Sequence, residues 1–232
     1  FITDVHLDEQ FPIDNQVDTK RNWEIALNDI AARGIHEIVF GGDIGASTSH
    51  AYFFKSLEPF SIKLMLGNHD KFNEVKAHFN AGGNSHELYY KVEENDFVYI
   101  FLDSSSDEIS DRQIQWLQAE LNSSKEFIFF IHHPILKIDT AVDKLYPLKN
   151  REQLKSILLA HKKNITVFCG HYHMNHQQVL RNIEQITTQS LSFQLLENEK
   201  ELKVDNLNFG YRIIEIGEAG IKTNLVNFRQ NE

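Results

Sequence analysis

Cysteine is nearly missing from this 232-residue chain: Cys169 stands alone. No intramolecular disulfide can form, and a cytosolic setting is the plain expectation. The four prolines and eleven glycines form no Gly/Ser linker or low-complexity tract, and no internal repeat is visible. No apolar run approaches the ~18 residues of a membrane span, and no secretory leader pattern is present, so no membrane association is expected. The chain opens at Phe1 rather than Met, so its first strand is expected to begin upstream. Basic residues are outnumbered, 23 against 33, for a formal charge of −10. That balance disfavours a non-specific nucleic-acid binder, whose affinity rests on Lys and Arg meeting phosphates. It leaves room for a small phosphate-bearing substrate at a locally positive site.

What is abundant is apolar and aromatic. Hydrophobic residues make up 41% of the chain, with 17 Phe and 7 Tyr, enough for one substantial core. Residues 1–232 are expected to form one domain, with inter-motif segments too short for a separate cap domain. Phe1-Ile2-Thr3 reads as a strand end, followed by a polar, acidic loop from Leu7 to about Asp18. Trp23, Ala26, Leu27, Ile30 and Ala31 recur at helical spacing from Thr19, with Gly34 as a stop. Short buried strands follow at Glu37–Phe40 and Ile62–Leu66, with a helix between them capped by Ser47-Thr48-Ser49. A helix is expected near Asn73 to Phe79, then a hairpin across Glu94-Asn95. Ser110-Asp111-Arg112-Gln113 has the capping-box form. Phe127–Ile131 and Ile165–Phe168 are buried strands, and strands alone finish the chain. The pattern predicts one α/β domain with two packed sheets.

Five polar clusters fall at the carboxyl ends of predicted strands, where open α/β sheets bind ligands. They are Asp4-x-His6, Gly41-Gly42-Asp43, Gly67-Asn68-His69-Asp70, His132-His133-Pro134 and Gly170-His171-x-His173. In extended chain the x-spaced pairs point to one face, so Asp4 with His6, and His171 with His173, can reach one site. Imidazole nitrogens and carboxylate oxygens with one amide are ordinary ligands for zinc, manganese or iron. Seven candidates, Asp4, His6, Asp43, Asn68, His132, His171 and His173, exceed one tetrahedral ion. They suit two divalent metal ions ~3.5–4 Å apart, with Asp43 as the natural bridge. Two divalent ions against the carboxylates of Asp4 and Asp43 leave a net positive centre, suited to phosphate.

The order of these motifs resembles the calcineurin-like metallophosphoesterase superfamily, from Asp4 to His173. Within it the chain is most similar to bacterial class III cyclic-nucleotide phosphodiesterases and glycerophosphodiesterase relatives. Leu102-Asp103-Ser104, Gln113-x-x-Trp116-Leu117 and the closing Gly210-Tyr211-Arg212-Ile213-Ile214 carry that closer likeness. The resemblance implies a four-layer α/β/β/α sandwich. It implies that Asp4, His6, Asp43 and His173 hold the first metal, and that Asp43, Asn68, His132 and His171 hold the second. His69 would be catalytic, beside the leaving group, and His132 rather than His133 would be the ligand. The chain departs from protein Ser/Thr phosphatases, whose second Asp, partner of the catalytic His, is absent from Gly42-Asp43-Ile44-Gly45-Ala46. It departs from purple acid phosphatases, which place a Tyr ligand where Ala46 stands.

The expected activity is hydrolysis of a small phosphodiester, such as a cyclic nucleotide. A metal-bridging hydroxide would attack in line while His69 assists the leaving group. A phosphomonoesterase is the alternative, and a catalytically silent scaffold of the same fold the third reading. His36, His50, His78, His86, His161 and His176 are expected to be surface or helix residues, Cys169 core, and Asp103-Ser104 a turn. Asp70 is expected either to orient its neighbours or to cap the next helix.

Overall fold

Helix and strand alternate along most of the chain, as the apolar spacing predicts. The computed structural model describes residues 1–79, 86–197, 199–217 and 220–230. Helices α1 (Gln10–Asp14) and α2 (Thr19–Ala32) precede β1 (Glu37–Phe40), α3 (His50–Ser56), β2 (Ser61–Leu64) and α4 (Phe72–Val75). Then come β3 (Tyr90–Glu94), β4 (Phe97–Leu102), α5 (Asp111–Glu120), β5 (Glu126–Ile131), α6 (Ala141–Leu145), α7 (Arg151–Leu159) and β6 (Ile165–Cys169). Strands complete the chain: β7 (His176–Leu180), β8 (Ile183–Thr187), β9 (Gln194–Leu195), β10 (Val204–Asp205), β11 (Asn208–Gly217) and β12 (Gly220–Arg229).

Residues 1–3 stitch the first sheet together. Ile2 donates to Val39 and accepts from Gly41, while Phe1 and Arg212 exchange a pair of backbone bonds. This segment therefore lies between the parallel β1–β2 pair and the antiparallel β11–β12 ribbon. The second sheet has six strands in the order β3-β4-β5-β6-β8-β7, with β4, β5, β6 and β8 parallel.

Strand β5 is apolar on both faces because both faces are covered. Phe127, Phe129 and Ile131 pack with Leu117, Leu154 and Leu158 of the helix layer. Ile128 and Phe130 face the other sheet and meet Phe1, Met65, Phe101 and Phe168. Phe130 stacks between Phe101 and Phe168 at centroid distances of 5.1 and 5.4 Å. On the outer face of the first sheet, Trp23, Ala26 and Ile30 of α2 pack with Phe40, Phe53 and Leu64. The layers are thus helix, sheet, sheet, helix.

Local signals came out unevenly. Asp18 caps α2 by accepting from Arg21, and Ser110 caps α5 by accepting from Gln113. Gln113 does not close the reciprocal half of a capping box; its amide bonds Asp103 and Glu87 instead. The serine cluster before α3 gives no side-chain cap, only a 3-10 turn at Ser47–Ser49, because Ser49 bonds Asp8. Helix α4 is shorter than expected, and the hairpin turns at Asn95-Asp96, where Asn95 takes a φ of 50°. The acidic loop contains α1, whose exposed Phe11 rests on Phe193.

Candidate metal centre

The strand ends that carry the candidate ligands leave the sheet abruptly. Asp4, His6, Asp43, His171 and His173 all have positive φ, between 48° and 66°. The extended-chain argument for Asp4/His6 and His171/His173 is therefore corrected: each pair alternates through left-handed residues and is not in a strand. The side chains still converge, because residues 1–3, β1 and β6 end at the same rim. Left-handed backbone in residues other than glycine costs roughly 1–2 kcal/mol each and gathers at functional sites.

Five of the seven candidates bring ring nitrogens and carboxylate oxygens within 4 Å of one another, and His171 joins Asp43 and His132 within 4.8 Å. His6 Nε2 lies 3.1 Å from His173 Nε2, and His173 Nε2 lies 3.3 Å from Asp4 Oδ1. His132 Nε2 is 3.2 Å from Asp43 Oδ2 and 3.8 Å from Asp4 Oδ1. His6 Nε2 is 3.7 Å from Asp43 Oδ2. Asn68 lies between Gly67, which faces Asp43, and His69, whose N–H donates to Asp43 Oδ1 at 2.9 Å.

The opposite ring nitrogens decide what each imidazole can do. His132 Nδ1 donates to the Gly41 carbonyl at 2.8 Å, and His173 Nδ1 to the Phe193 carbonyl at 2.9 Å. His171 uses Nε2, donating to the Tyr146 carbonyl at 3.0 Å. His6 Nδ1 meets the Glu9 carboxylate at 3.0 Å. Each partner is an acceptor, so each ring turns its other nitrogen toward the cluster, the arrangement typical of metal-binding histidines. Asn68 Oδ1 and His132 Nε2 are buried without a hydrogen-bond partner, as ligand atoms of a cation would be. Among the described residues, three groups could each hold an ion: Asp4-His6-His173, His6-Asp43-His69 and Asp43-His132-His171. The donor set fits.

The electrostatics favour positive charge. Burial opposes charge on His132, but Asp43 and Asp4 override it and push its pKa up to about 10. Burial would raise the carboxyl of Asp4, yet the imidazoles of His173 and His132 hold it well below the usual range. Burial, then His132, pushes His171 down to about 4. The two carboxylates that draw a proton to His132 would draw cations likewise.

Two carboxylates have definite jobs: Asp70, for which orienting its neighbours was one of the two expectations, and Glu9, which the sequence reading missed. Asp70 is buried and accepts from Asp43 N, Gly67 N and Ile44 N at 2.8–2.9 Å. It orients the ligand loops and does not cap α4, whose N-cap is Lys71. Burial and the nearby Asp43 push its pKa up to about 7. Glu9 lies 3.0 Å from both His6 Nδ1 and His69 Nδ1. Burial would raise its pKa, but the hydrogen bonds to those two rings pull it down to about 2. These two carboxylates shrink the positive excess expected from Asp4 and Asp43 alone. A carboxylate three residues after a candidate ligand was the available signal for Glu9.

Of the near neighbours, His133 packs its ring on His171 at a centroid distance of 4.0 Å but turns its Nδ1 away. His133 Nδ1 bonds Ser104 Oγ at 2.9 Å, and burial keeps the ring neutral. His176 pairs with Glu197 at the start of β7. His50 opens α3 but is buried. Asp103 accepts from Leu88 and Ser105 in a buried turn. Gly42, at φ 95°, and Gly67 let two ligand loops touch: a Cβ on Gly67 would run into Asp43 Oδ1, and one on Gly42 into Gly67 N. A cavity of about 720 Å³ lies elsewhere, lined by residues that include Phe1, Val39, Tyr99 and Ile214 and none of the seven candidates.

The model of the calcineurin-like phosphoesterase family matches residues 1–175. The chain belongs to that family. As a calcineurin-like phosphoesterase it is a phosphoric ester hydrolase. It is 26% identical to a "Probable cyclic nucleotide phosphodiesterase" of Fibrobacter succinogenes, over 96% of this chain and 90% of that protein. It is 25% identical to another so named from a Pseudoalteromonas species, over 97% and 89%. Among solved structures it is similar to a dimetal phosphatase from Danio rerio, with a TM-score of 0.59 and 13% identity over 98% of this chain and 97% of that one. It is also similar to GAP50, described as the anchor in the inner membrane complex of Plasmodium, with a TM-score of 0.60 and 15% identity over 97% and 82%. At those identities the likeness is one of fold. No helix among the described residues is long and apolar enough to cross a membrane.

Proposed function

We propose that this calcineurin-like phosphoesterase hydrolyses small phosphodiesters, with cyclic nucleotides as the leading substrate class. The reading is carried by one observation: His6, His132, His171 and His173 each keep a single ring nitrogen free toward the same two carboxylates. Asp4, His6, Asp43 and His173 would hold one divalent ion. Asp43, Asn68, His132 and His171 would hold a second, with Asp43 shared. Manganese, iron and zinc all suit this donor set. When bound, such ions lower the pKa of water toward ~7 and offset charge on the phosphoryl oxygens. The names carried by the curated relatives support the diester class.

The chain's own residues supply orientation and the leaving-group proton. Attack forms one P–O bond while another breaks, and the departing oxygen takes the electron pair. An alkoxide leaves poorly without a proton. His69 sits beside Asp43, its side chain 45% exposed and its Nδ1 held by Glu9. It would transfer a proton from Nε2 to that oxygen. The Glu9 bond, with help from Asp43, pushes its pKa up to about 9 in the metal-free chain. Residues 1–232 are taken as one domain without a cap, in keeping with helices packed on the outer face of each sheet. A cytosolic setting is part of the same proposal, consistent with the single buried Cys169.

The test is a panel of cyclic nucleotides, glycerophosphodiesters, aryl monoesters and aryl diesters, assayed with manganese, iron and zinc. Faster metal-dependent turnover of diesters supports the proposal. Preference for monoesters would replace it with a phosphomonoesterase, and inactivity with every metal would leave a scaffold.

A further inference from the structure

Glu9 has no part in the seven-ligand set, yet it touches two members of the centre at once. Its Oε2 is 3.0 Å from His6 Nδ1 and 3.0 Å from His69 Nδ1. The two rings pack edge to face with centroids 4.8 Å apart. Glu9 is the N-cap residue of α1, but its side chain makes no capping bond. A side chain that leaves a helix end for two imidazoles has been given a different task. One carboxylate oxygen can accept two hydrogen bonds and can donate none when ionised. Both rings must therefore present N–H at Nδ1 and turn Nε2 the other way. For His6, Nε2 points at His173 and Asp43.

We propose that Glu9 is a positioning residue that holds His6 in its Nδ1–H tautomer and fixes the orientation of His69, tying a metal ligand to the leaving-group acid through one oxygen. Protein Ser/Thr phosphatases, as noted above, give their catalytic His an Asp from the Gly-Asp motif. Here Gly45 and Ala46 follow Ile44, and no carboxylate stands in that segment. Glu9 supplies the missing partner from another loop, on the far side of the ring pair from Asp43. Because the same oxygen serves His6, disturbing it reaches both the metal site and the proton donor. The effect on His69 rests on the leaving-group role proposed above.

The experiment compares the full chain with its Glu9→Ala, Glu9→Gln, His69→Ala and Glu9→Ala/His69→Ala variants. Long-range ¹H–¹⁵N spectra of the histidine rings are recorded on zinc-loaded protein, with thermal unfolding to confirm that each variant folds. Wild type is expected to hold His6 as a single Nδ1–H form and His69 with a hydrogen-bonded Nδ1–H beside its Nε2–H, and Glu9→Ala to show mixed tautomers at His6 and loss of the hydrogen-bonded Nδ1–H at His69. Zinc affinity should fall by about 10-fold or more in Glu9→Ala, within the range for losing a partner behind a ligand. At saturating zinc, kcat for a glycerophosphodiester should fall by about 10–100-fold. With bis(p-nitrophenyl) phosphate, whose leaving group needs no proton, the loss should stay within about 3-fold. Glu9→Gln keeps one acceptor and should fall between wild type and Glu9→Ala. The double variant should be no slower on the glycerophosphodiester than His69→Ala alone.

An unchanged His6 tautomer and an unchanged His69 ring spectrum in Glu9→Ala, with His69→Ala still discriminating between the two esters, would overturn the role of Glu9 and leave that of His69 standing. Equal losses on both esters in His69→Ala would overturn the leaving-group reading and, with it, the link from Glu9 to the chemistry.

Discussion

Asp70 and Asp43 hold each other's loops in place. Asp70 accepts from the backbone N–H of Asp43 and of Ile44, while Asp43 accepts from the N–H of His69 next door to Asp70. The exchange locks the loop after β1 to the loop after β2, so Asp43 and Asn68 keep a fixed spacing. Asp70→Asn retains one carbonyl oxygen but turns an NH₂ toward N–H donors. Leaving a buried donor unmatched costs about 1–3 kcal/mol. The variant should melt earlier and bind less metal, read by calorimetry and elemental analysis. Wild-type melting and metal content would mean that the two loops are held by other contacts.

The two adjacent histidines should behave differently. His132 Nε2 is buried without a hydrogen bond and faces Asp43, whereas His133 is occupied by Ser104. His132→Gln is expected to lose metal and to slow hydrolysis by at least the roughly 10–100-fold seen when a supporting partner is removed. His133→Gln should keep its metal content. Equal metal loss in both variants would argue that the second ring also reaches an ion.

The left-handed backbone offers a test that needs no substrate. Within a helix or strand Gly is less stable than Ala, by about 0.5–1 kcal/mol. His6 has a φ of 51°, a region where Cβ itself is penalised by roughly 1–2 kcal/mol. His6→Gly should therefore be the more stable of the two truncations in the metal-free protein. Denaturant midpoints compare them directly, and the ordinary order, with Ala ahead, would count against this backbone geometry.

Cys169 should be chemically silent in the folded chain. It is fully buried, and burial pushes its thiol up to about 12. At pH 8 only about one molecule in ten thousand carries the reactive thiolate, against a sizeable fraction for a free thiol near 8.5. Raising the pH from 7 to 9 should leave alkylation by iodoacetamide limited by opening of the structure. Mass spectrometry of the native and urea-unfolded chain follows this, and rapid native labelling would contradict it.

Sequence carried the architecture well where burial dictated residue type. Strand β5 could be read because both its faces are covered, and α2 because Trp23, Ala26 and Ile30 repeat at helical spacing. The clusters around Asp4, Asp43, Asn68, His132 and His171 were legible because they end such strands. What failed was local conformation. Asp4 and His6 were expected in extended chain, yet tertiary contacts hold both left-handed, since Val5 and His6 donate to the Asp43 carbonyl. Glu9 was hidden for another reason. Its partner His69 is sixty residues away in sequence, and only its place three residues after His6 sets it apart from the other carboxylates of an acidic loop.

The candidate ligands divide between two sheets. Asp4, His6, Asp43 and Asn68 follow strands of one, and His132, His171 and His173 follow strands of the other. Ions held there would act as a clasp across the sandwich, joining residue 4 to residue 173 as a covalent cross-link would. Closing so long a stretch of chain removes much freedom from the unfolded state, by an amount that grows slowly with loop length. The rim where hydrolysis would take place is then also the seam where the two halves of the molecule are fastened. A chelator would be expected to loosen the protein as a whole, not merely to silence it.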